Sequence, residues 1–202
     1  KVFERDDKVM NALNLSESVK EHIEADIKAA EAFGRVDDNG TVFVREGDAE
    51  REVGAFPDVS KEEALALYAR RFLDLKAKLD LFASRLLSPN IKTREIDESV
   101  KLLGEEVAAP AVVGDIPSLK AQFETVKAAG EAKKAEIIEA RKAAQAKAVA
   151  ERTKIVEKAE ELAASLDDNT NWRSTADKFR ALFEEWQNHQ RTTVRIDKPE
   201  AE

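Results

Sequence analysis

The sequence predicts a mainly α protein, an elongated helical bundle or antiparallel coiled coil with a small three-stranded antiparallel β-meander near its N-terminus. Three observations carry this reading. Leu65, Tyr68, Phe72, Leu75, Leu79, Phe82 and Leu86 recur at alternating steps of three and four, which places them on one seam of one helix that other helices must cover. The apolar period shortens between Phe33 and Phe56, where Gly and Asn-Gly punctuate short runs rich in valine, the pattern of strands and tight turns. From about Pro117 to Leu166 no further proline occurs and Gly130 is the only glycine, so one helix of roughly 75 Å is expected there, against roughly 40 Å for the heptad helix.

Taken in order, Ser18 followed by Glu21 reads as a capping box opening a helix to about Glu31, with Val19, Ile23, Ile27 and Ala30 along its apolar face. Val9, Met10 and Leu13 suggest a shorter helical turn before it. Phe33 to Asp37 and Thr41 to Arg45 read as strands joined by an Asn39-Gly40 turn, because that dipeptide tolerates the positive φ of a tight hairpin. Glu46, Gly47 and Asp48 make a second turn, and Glu50 to Phe56 a third strand. A meander of residues 33–56 is too small to stand alone and should lean Val36, Val42, Val44 and Val53 on a helix. Ser60 with Glu63 forms another capping box, which starts the heptad helix; Ser88, Pro89 and Asn90 end it. Ile96, Val100, Leu103 and Val107 mark a further amphipathic helix. Pro110, Gly114 and Pro117 mark a loop in which Asp115 or Ser118 caps the long helix.

The long helix has apolar faces at both ends, Leu119, Phe123 and Val126 at one and Ile155, Ala159, Leu162 and Leu166 at the other. Between them lie ten alanines, with Ile137, Ile138 and Val149 as the only large apolar residues from Lys127 to Lys154, the composition of a bare connecting rod. After a polar break at Asp167 to Asn171, a last helix carries Trp172, Ala176, Phe179, Leu182 and Trp186 on one face, which folds back on Ile155 to Leu166 as an antiparallel pair. Arg191 to Glu202 has no apolar pattern and is expected to fray. The expected organisation is an N-terminal helical region with the meander at 1–126, a basic alanine-rich rod at 127–154 and a helical hairpin at 155–202.

Composition limits the functional classes. The charged share of 37% exceeds the usual quarter and aromatics are 6%, so the core is aliphatic and narrow. Residues 1–60 hold 8 basic against 15 acidic side chains, whereas residues 127–154 hold 8 against 4, which sets an acidic beginning against a basic rod. The absence of cysteine excludes disulfides, a thiolate nucleophile and Cys-ligated zinc and fits a reducing, cytoplasmic compartment. No apolar run approaches the ~20 residues of a membrane helix, so no membrane role is expected. The chain opens on Lys1 and stops at Glu202 in mid-pattern, and so reads as an excised segment.

Residues that carry familiar chemistry are missing. His22 and His189 stand far apart without ligand partners at metal spacing, and HExxH, CxxC, EF-hand, GxSxG, GxxxxGK and GxGxxG patterns are absent, so no catalytic, metal or cofactor residues are assigned. Pairs such as Glu62 and Glu63, Glu105 and Glu106, or Glu184 and Glu185 read as solvated helix surface. Two features point to partners instead. Lys133, Lys134, Arg141, Lys142, Lys147 and Arg152 present cations along the rod that suit phosphates. Local pairing there is poor on this reading, with Glu151 lacking a partner and Glu136 five residues from Arg141. Trp172 and Trp186, two heptads apart, share a face that packs or, if exposed, docks a partner.

The segment Asn171-Trp172-Arg173 through Arg180-Ala181-Leu182 to Glu185-Trp186, after a helix ending Lys158-Ala159-Glu160-Glu161-Leu162, resembles the repeat of the bacterial domain-of-unknown-function family 349. Its actinobacterial members look similar also at Phe33-Gly34-Arg35-Val36, at Gly40-Thr41-Val42-Phe43-Val44-Arg45, at Glu63-Ala64-Leu65-Ala66 with Arg70, and at Val113-Gly114-Asp115. The resemblance implies an N-terminal region plus half of a first repeat, whose second helix, with its Leu-Trp and Arg-Phe pattern, would follow Glu202. It carries over no catalytic residue. Some members are described as DNA-repair ATPases, but the phosphate-binding loop that activity needs is absent here. The expected function is a non-enzymatic helical scaffold or adaptor with protein partners, a monomer or weak dimer. The alternative is a nucleic-acid- or ribosome-associated factor acting through the basic helix.

Overall fold

The computed structural model describes the backbone of residues 3–195 and the side chains of residues 16–195. Among these the fold is mainly α, with helices α1 (Phe3–Glu31), α2 (Lys61–Leu86), α3 (Thr93–Ala108), α4 (Ile116–Ala164) and α5 (Trp172–Thr192). Strands β1 (Gly34–Val36), β2 (Thr41–Glu46) and β3 (Ala49–Ala55) lie between α1 and α2. The chain divides into two compact units, Lys1–Lys134 and Ala135–Glu202, and α4 contributes to both.

In the first unit α2 is the centre. Ser60 is its N-cap, the Oγ accepting from Glu63 N–H at 3.2 Å, as the capping-box pattern predicts. Tyr68, Phe72, Leu75, Leu79, Phe82 and Leu86 are all buried, and Ala64 is buried where the heptad starts, with Leu65 beside it half-buried. Leu81 and Leu87, off the seam, are 71% and 84% exposed. α3 covers the seam with Ile96, Leu103 and Val107, and α4 with Ile116, Leu119 and Val126. The contact continues one turn beyond Val126: a Cβ at Gly130 would lie 3.1 Å from Ile96 and 3.9 Å from Phe82, so the absent side chain lets α4 run close to both helices.

The sheet is an antiparallel meander in the order β1-β2-β3. Val42 and Val44 are fully buried, while Val36 and Val53 are half-buried, so the valine face leans inward as expected. The first hairpin differs in turn chemistry from the expected Asn-Gly turn. Within this turn only Gly40 has positive φ, 78°, and no described residue other than glycine does. Asp37 organises the loop instead, its Oδ1 accepting from the N–H groups of Asn39 and Thr41 at 2.9 Å. The result is a three-residue loop closed by a glycine in the left-handed region.

α1 also differs from expectation. Ser18 lies inside one continuous helix and its carbonyl faces His22 Nδ1 at 2.9 Å, so the Ser18–Glu21 spacing is no cap here. Nothing between Phe3 and Glu31 breaks a helix, since the stretch holds no Gly or Pro. Of its apolar face Ile27 and Ala30 are buried, but Val19 and Ile23 are 52% and 50% exposed. The side chains of Val9, Met10 and Leu13 lie outside the described residues, as does the tail beyond residue 195.

The 109–115 loop joins these parts. Val113 is fully buried and its N–H donates to the Tyr68 carbonyl of α2 at 3.1 Å. A Cβ on Gly114 would lie 2.2 to 2.5 Å from three ring atoms of Phe72, so this backbone lies flat on the ring. Arg51 of β3 donates to the Pro110 carbonyl at 2.8 Å. Asp115 then caps α4, its Oδ1 accepting from Ser118 N–H at 3.1 Å; of the two capping candidates, Asp115 serves.

Two outcomes follow for this unit. Gly114→Ala forces the Phe72 ring to move and should lower stability by about 1–3 kcal/mol in urea unfolding, the usual range for overpacking. The carboxylates Asp38, Glu50 and Glu95 are each held below their ordinary pKa, foremost by side-chain hydrogen bonds from Lys61, Arg35 and Arg85. A carboxylate lowered on folding stabilises above its unfolded pKa and loses that contribution as pH falls through its folded pKa. The melting temperature should therefore fall on acidification through and below the ordinary carboxylate range, and more steeply for the parent than for Glu95→Gln.

Candidate functional site

The second unit is built from the later part of α4 and from α5, joined by residues 165–171. Asp167 folds that connection, its Oδ1 accepting from Asn169 N–H at 2.9 Å, and Asn171 caps α5, accepting from Ser174 N–H at 3.1 Å. The inward positions of α5 are Thr175, Phe179, Leu182, Trp186 and His189, and those of α4 are Ala148, Arg152, Ile155, Ala159 and Leu162.

 Both sets step alternately by three and four, so Ala159, like Ile155 and Leu162, lies on the stripe that meets α5. Cross-links confirm an antiparallel register: Lys158 Nζ lies 3.6 Å from Glu185, His189 Nε2 lies 2.9 Å from Glu151 Oε2, and the Arg152 guanidinium sits 5.9 Å from the centre of the Trp186 ring.

His189 is buried, with 9% of its surface exposed, as is Thr175 earlier on α5. Arg152 Nε donates to its Nδ1 at 3.3 Å, which makes Nδ1 an acceptor and leaves the proton on Nε2 to be donated to Glu151. Thr193 Oγ1 donates to the His189 carbonyl at 2.6 Å and closes the end of α5. The imidazole thus bridges a carboxylate and a guanidinium across the two helices. The arrangement satisfies buried polar atoms and borders an open cleft of about 300 Å³ that Glu151, Lys158, Glu185 and His189 help to line. Among the described residues no group of three or more His, Cys, Asp or Glu side chains could hold a metal ion.

The two sides of the pair differ. Glu151, Lys158, Glu185 and His189 bridge the helices along one side. At 100° per residue, Val156 lies about 160° around α4 from Lys158, and Phe183 about 160° around α5 from Glu185. Both therefore project from the opposite side. Val149, Val156 and Ala163 share that stripe of α4, and Trp172, Ala176 and Phe183 share that stripe of α5, each set within about 40°. Val149 is 46%, Val156 42%, Trp172 64% and Phe183 60% exposed. One side of the pair is hydrogen-bonded and charged, and the other is an uncovered apolar face.

The eight residues singled out from the sequence fall in both units. Lys133 and Lys134 belong to the first, where Lys134 pairs with Asp97 of α3 at 2.6 Å. The hydrogen bond that Lys134 donates to Asp97 holds its ammonium above its ordinary pKa. Arg141, Lys142, Lys147 and Arg152 belong to the second. Lys142 reaches Glu139 at 3.4 Å and Lys147 reaches Glu151 at 4.0 Å; Lys133 and Arg141 also interact with neighbours. Glu151, expected to lack a partner, has two, Lys147 four residues back and His189 across the pair. The structure brings Arg152 and Trp186 together and separates Trp172 from them. Trp186 is half-buried on the seam, whereas Trp172 opens α5 opposite the 165–171 connection, where α4 has ended and nothing covers it. Phe183 and His189, missed as site residues, belong to the site. Phe183 could have been found from its eleven-residue spacing to Trp172, but the partners of His189 lie 37 and 38 residues away and leave no local signal.

In the first unit a separate cleft of about 460 Å³ lies between α2 and α3, with Leu81 and Leu102 among its walls. Ion pairs from Arg85 to Glu95 and from Lys78 to Glu106 bridge it. No described helix is long and apolar enough to cross a membrane.

His189→Leu removes the bridge and leaves Glu151 and Arg152 without their shared partner. It should destabilise the α4–α5 pair by about 1–3 kcal/mol, seen as faster amide hydrogen exchange in α5.

Comparison with curated proteins and with solved structures finds no match. The motifs at Phe33, Gly40, Glu63 and Val113 that suggest a family likeness lie before the part of the chain that a family model matches. That part is residues 118–193, which hold nearly all of α4 and all of α5 and match the model described as Domain of Unknown Function (DUF349).

Proposed function

We propose that this chain is a non-enzymatic helical adaptor that binds protein partners through the uncovered apolar face of the α4–α5 pair. The observation that carries this reading is the joint exposure of Trp172 and Phe183 on one stripe of α5, next to Val156 of α4. Large aromatic side chains left in water are costly unless a partner covers them, and they are the residues on which interfaces concentrate binding energy. The polar side of the same pair is internally satisfied, which leaves the apolar side as the one with unmet contacts.

The basic stretch supports a nucleic-acid role less well. Lys134, Lys142, Lys147 and Arg152 each have a protein partner, so phosphate contact would have to displace interactions already made.

The test is capture from a lysate of the source cell by the intact chain, with Trp172→Glu and Phe183→Glu variants and a nuclease-treated arm. Specific protein partners should survive nuclease and fall at least tenfold with either variant. Capture that neither variant alters, or that nuclease abolishes, overturns the reading.

A further inference from the structure

We infer that the apolar face of the α4–α5 pair packs on the same face of a second copy of this chain, the two pairs closing into a symmetric four-helix bundle in which α4 of each copy lies on α5 of the other. The inference rests on the adaptor reading and names a partner for that face. The exposed stripes are centred on Val156 in α4 and on Phe183 in α5. Each centre stands about 100° around its helix from a seam residue, Ile155 in α4 and Leu182 in α5. A helix in a four-helix bundle presents two apolar arcs about a right angle apart, one to each neighbour. Here the seam fills the first arc and the second is uncovered, with Val156 42%, Trp172 64% and Phe183 60% exposed.

Charge selects this occupant and its orientation. On the side of each stripe away from the seam, Glu160 lies about 40° around α4 from Val156, and Arg180 about 60° and Arg173 about 80° around α5 from Phe183. All three are exposed. Glu157, Glu184 and Asp177 lie about 100–120° from the same centres and point further back. The face therefore has an acidic rim on α4 and a basic rim on α5. Glu160 stands nine residues after Glu151, and Arg180 nine residues before its partner His189, so the two are level to within a helical turn. Val156 is level with Phe183 in the same way, and Ala163 with Ala176. A half-turn about an axis parallel to the helices keeps every residue at its level and lays α4 on α5 of the second copy. Glu160 of each copy then meets Arg180 of the other, Val156 meets Phe183, and Ala163 and Ala176 let the helices approach. A half-turn about an axis across the helices would instead lay α4 on α4 and α5 on α5, with like rims together, which opposes association. Lys142 shares the edge of Glu160, but nine residues before Glu151 it stands past the level at which α5 ends. Arg180 also holds Asp177 at 3.1 Å and remains 68% exposed.

The extent of the face sets the strength. Toward the first unit it turns polar at Gln145, Arg152 and Gln190, which confines the contact to the turns carrying Val156, Ala163, Trp172, Ala176 and Phe183. At their present exposure Trp172 and Phe183 offer roughly 200–300 Å² per copy, so the contact falls below the ~800 Å² per partner of a stable complex. The association is therefore weak and concentration-dependent. Because the same patch serves on both copies, the contact is isologous and closes at the dimer.

The experiment is sedimentation equilibrium of the full chain at low salt over a hundredfold range of concentration, with Phe183→Glu, Glu160→Arg and Arg180→Glu variants and the double variant Glu160→Arg/Arg180→Glu. All three positions are exposed, so each variant should keep the parent's helical circular dichroism. The mean mass of the parent should rise with concentration and level off at the dimer, and Phe183→Glu should stay monomeric. Either charge reversal alone should raise the dissociation constant about tenfold, because a symmetric dimer holds the pair twice and reversal turns both attractions into repulsions. The double variant, and an equimolar mixture of the two single reversals, should recover dimerisation, since each restores both attractions. A parent that is monomeric throughout or grows past the dimer, a Phe183→Glu variant that dimerises, single reversals that dimerise like the parent, or a loss that the second reversal does not repair overturns the inference. If self-association is absent while capture of another protein still depends on Trp172, the adaptor reading stands and this one falls.

Discussion

The first unit depends on one short contact, the backbone of Val113 and Gly114 laid across the middle of α2. Val113 donates its N–H to the Tyr68 carbonyl at 3.1 Å, although Tyr68 lies well inside the helix. Gly114 rests on the Phe72 ring one turn later, at a distance that admits no side chain. The methyl groups of Val113 fill the space a Cβ on Gly34 would need, as close as 2.4 Å, so the same residue fits the first strand against the helix. Immediately afterwards Asp115 caps α4 and Ile116 is fully buried. Sheet, central helix and the start of the long helix are thus set by four consecutive residues. Arg51 ties the third strand to the same loop through Pro110.

The parts of this fold legible in the sequence are those decided by neighbours within one helical turn or one hairpin. The seam of α2 shows because its large apolar residues repeat without interruption and solvent cannot accommodate them all. The meander shows because glycine-marked turns separate valine-rich runs. Ser60 and Ser18 have the same capping spacing, yet only Ser60 caps, since Pro57 precedes it and ends the strand whereas nothing ahead of Ser18 stops the helix. The Asn39-Gly40 turn has the right place and a different construction, because Asp37 supplies the acceptor that the dipeptide alone does not. Contacts between distant segments leave no such trace. Glu151, Arg152 and His189 are unremarkable in sequence, and only the register of α4 against α5 makes them a bridge.

The α4–α5 pair illustrates a limit on two-helix packing. An α-helix touches a single neighbour over only part of its circumference, so a helix whose apolar arc is wide remains partly wet in a pair. On α5 the arc runs from Leu182 and Thr175 on the seam through Phe179 and Trp186 to Phe183, Trp172 and Ala176. α4 covers the first part and ends at Ala164 before it could cover Trp172. On the other side of the seam the same helices carry Glu151, Lys158, Glu185 and His189, which pair across and need nothing further. The asymmetry of coverage follows from the sequence of the two helices.

Charge along α4 bears on the same choice. A surplus of cations attracts phosphates strongly only where those cations are free to exchange their partners for phosphate oxygens. Here Lys134 is held by Asp97, Lys142 by Glu139 and Lys147 by Glu151, and the Arg152 guanidinium is divided between His189 and the face of Trp186. Each of these contacts places a carboxylate, an imidazole or a ring where a phosphate would have to sit. Exposed apolar side chains face no such competition, since burying Trp172 or Phe183 displaces only water. Of these four cations only Arg152 reaches across to α5, where Lys158 adds a second link through Glu185.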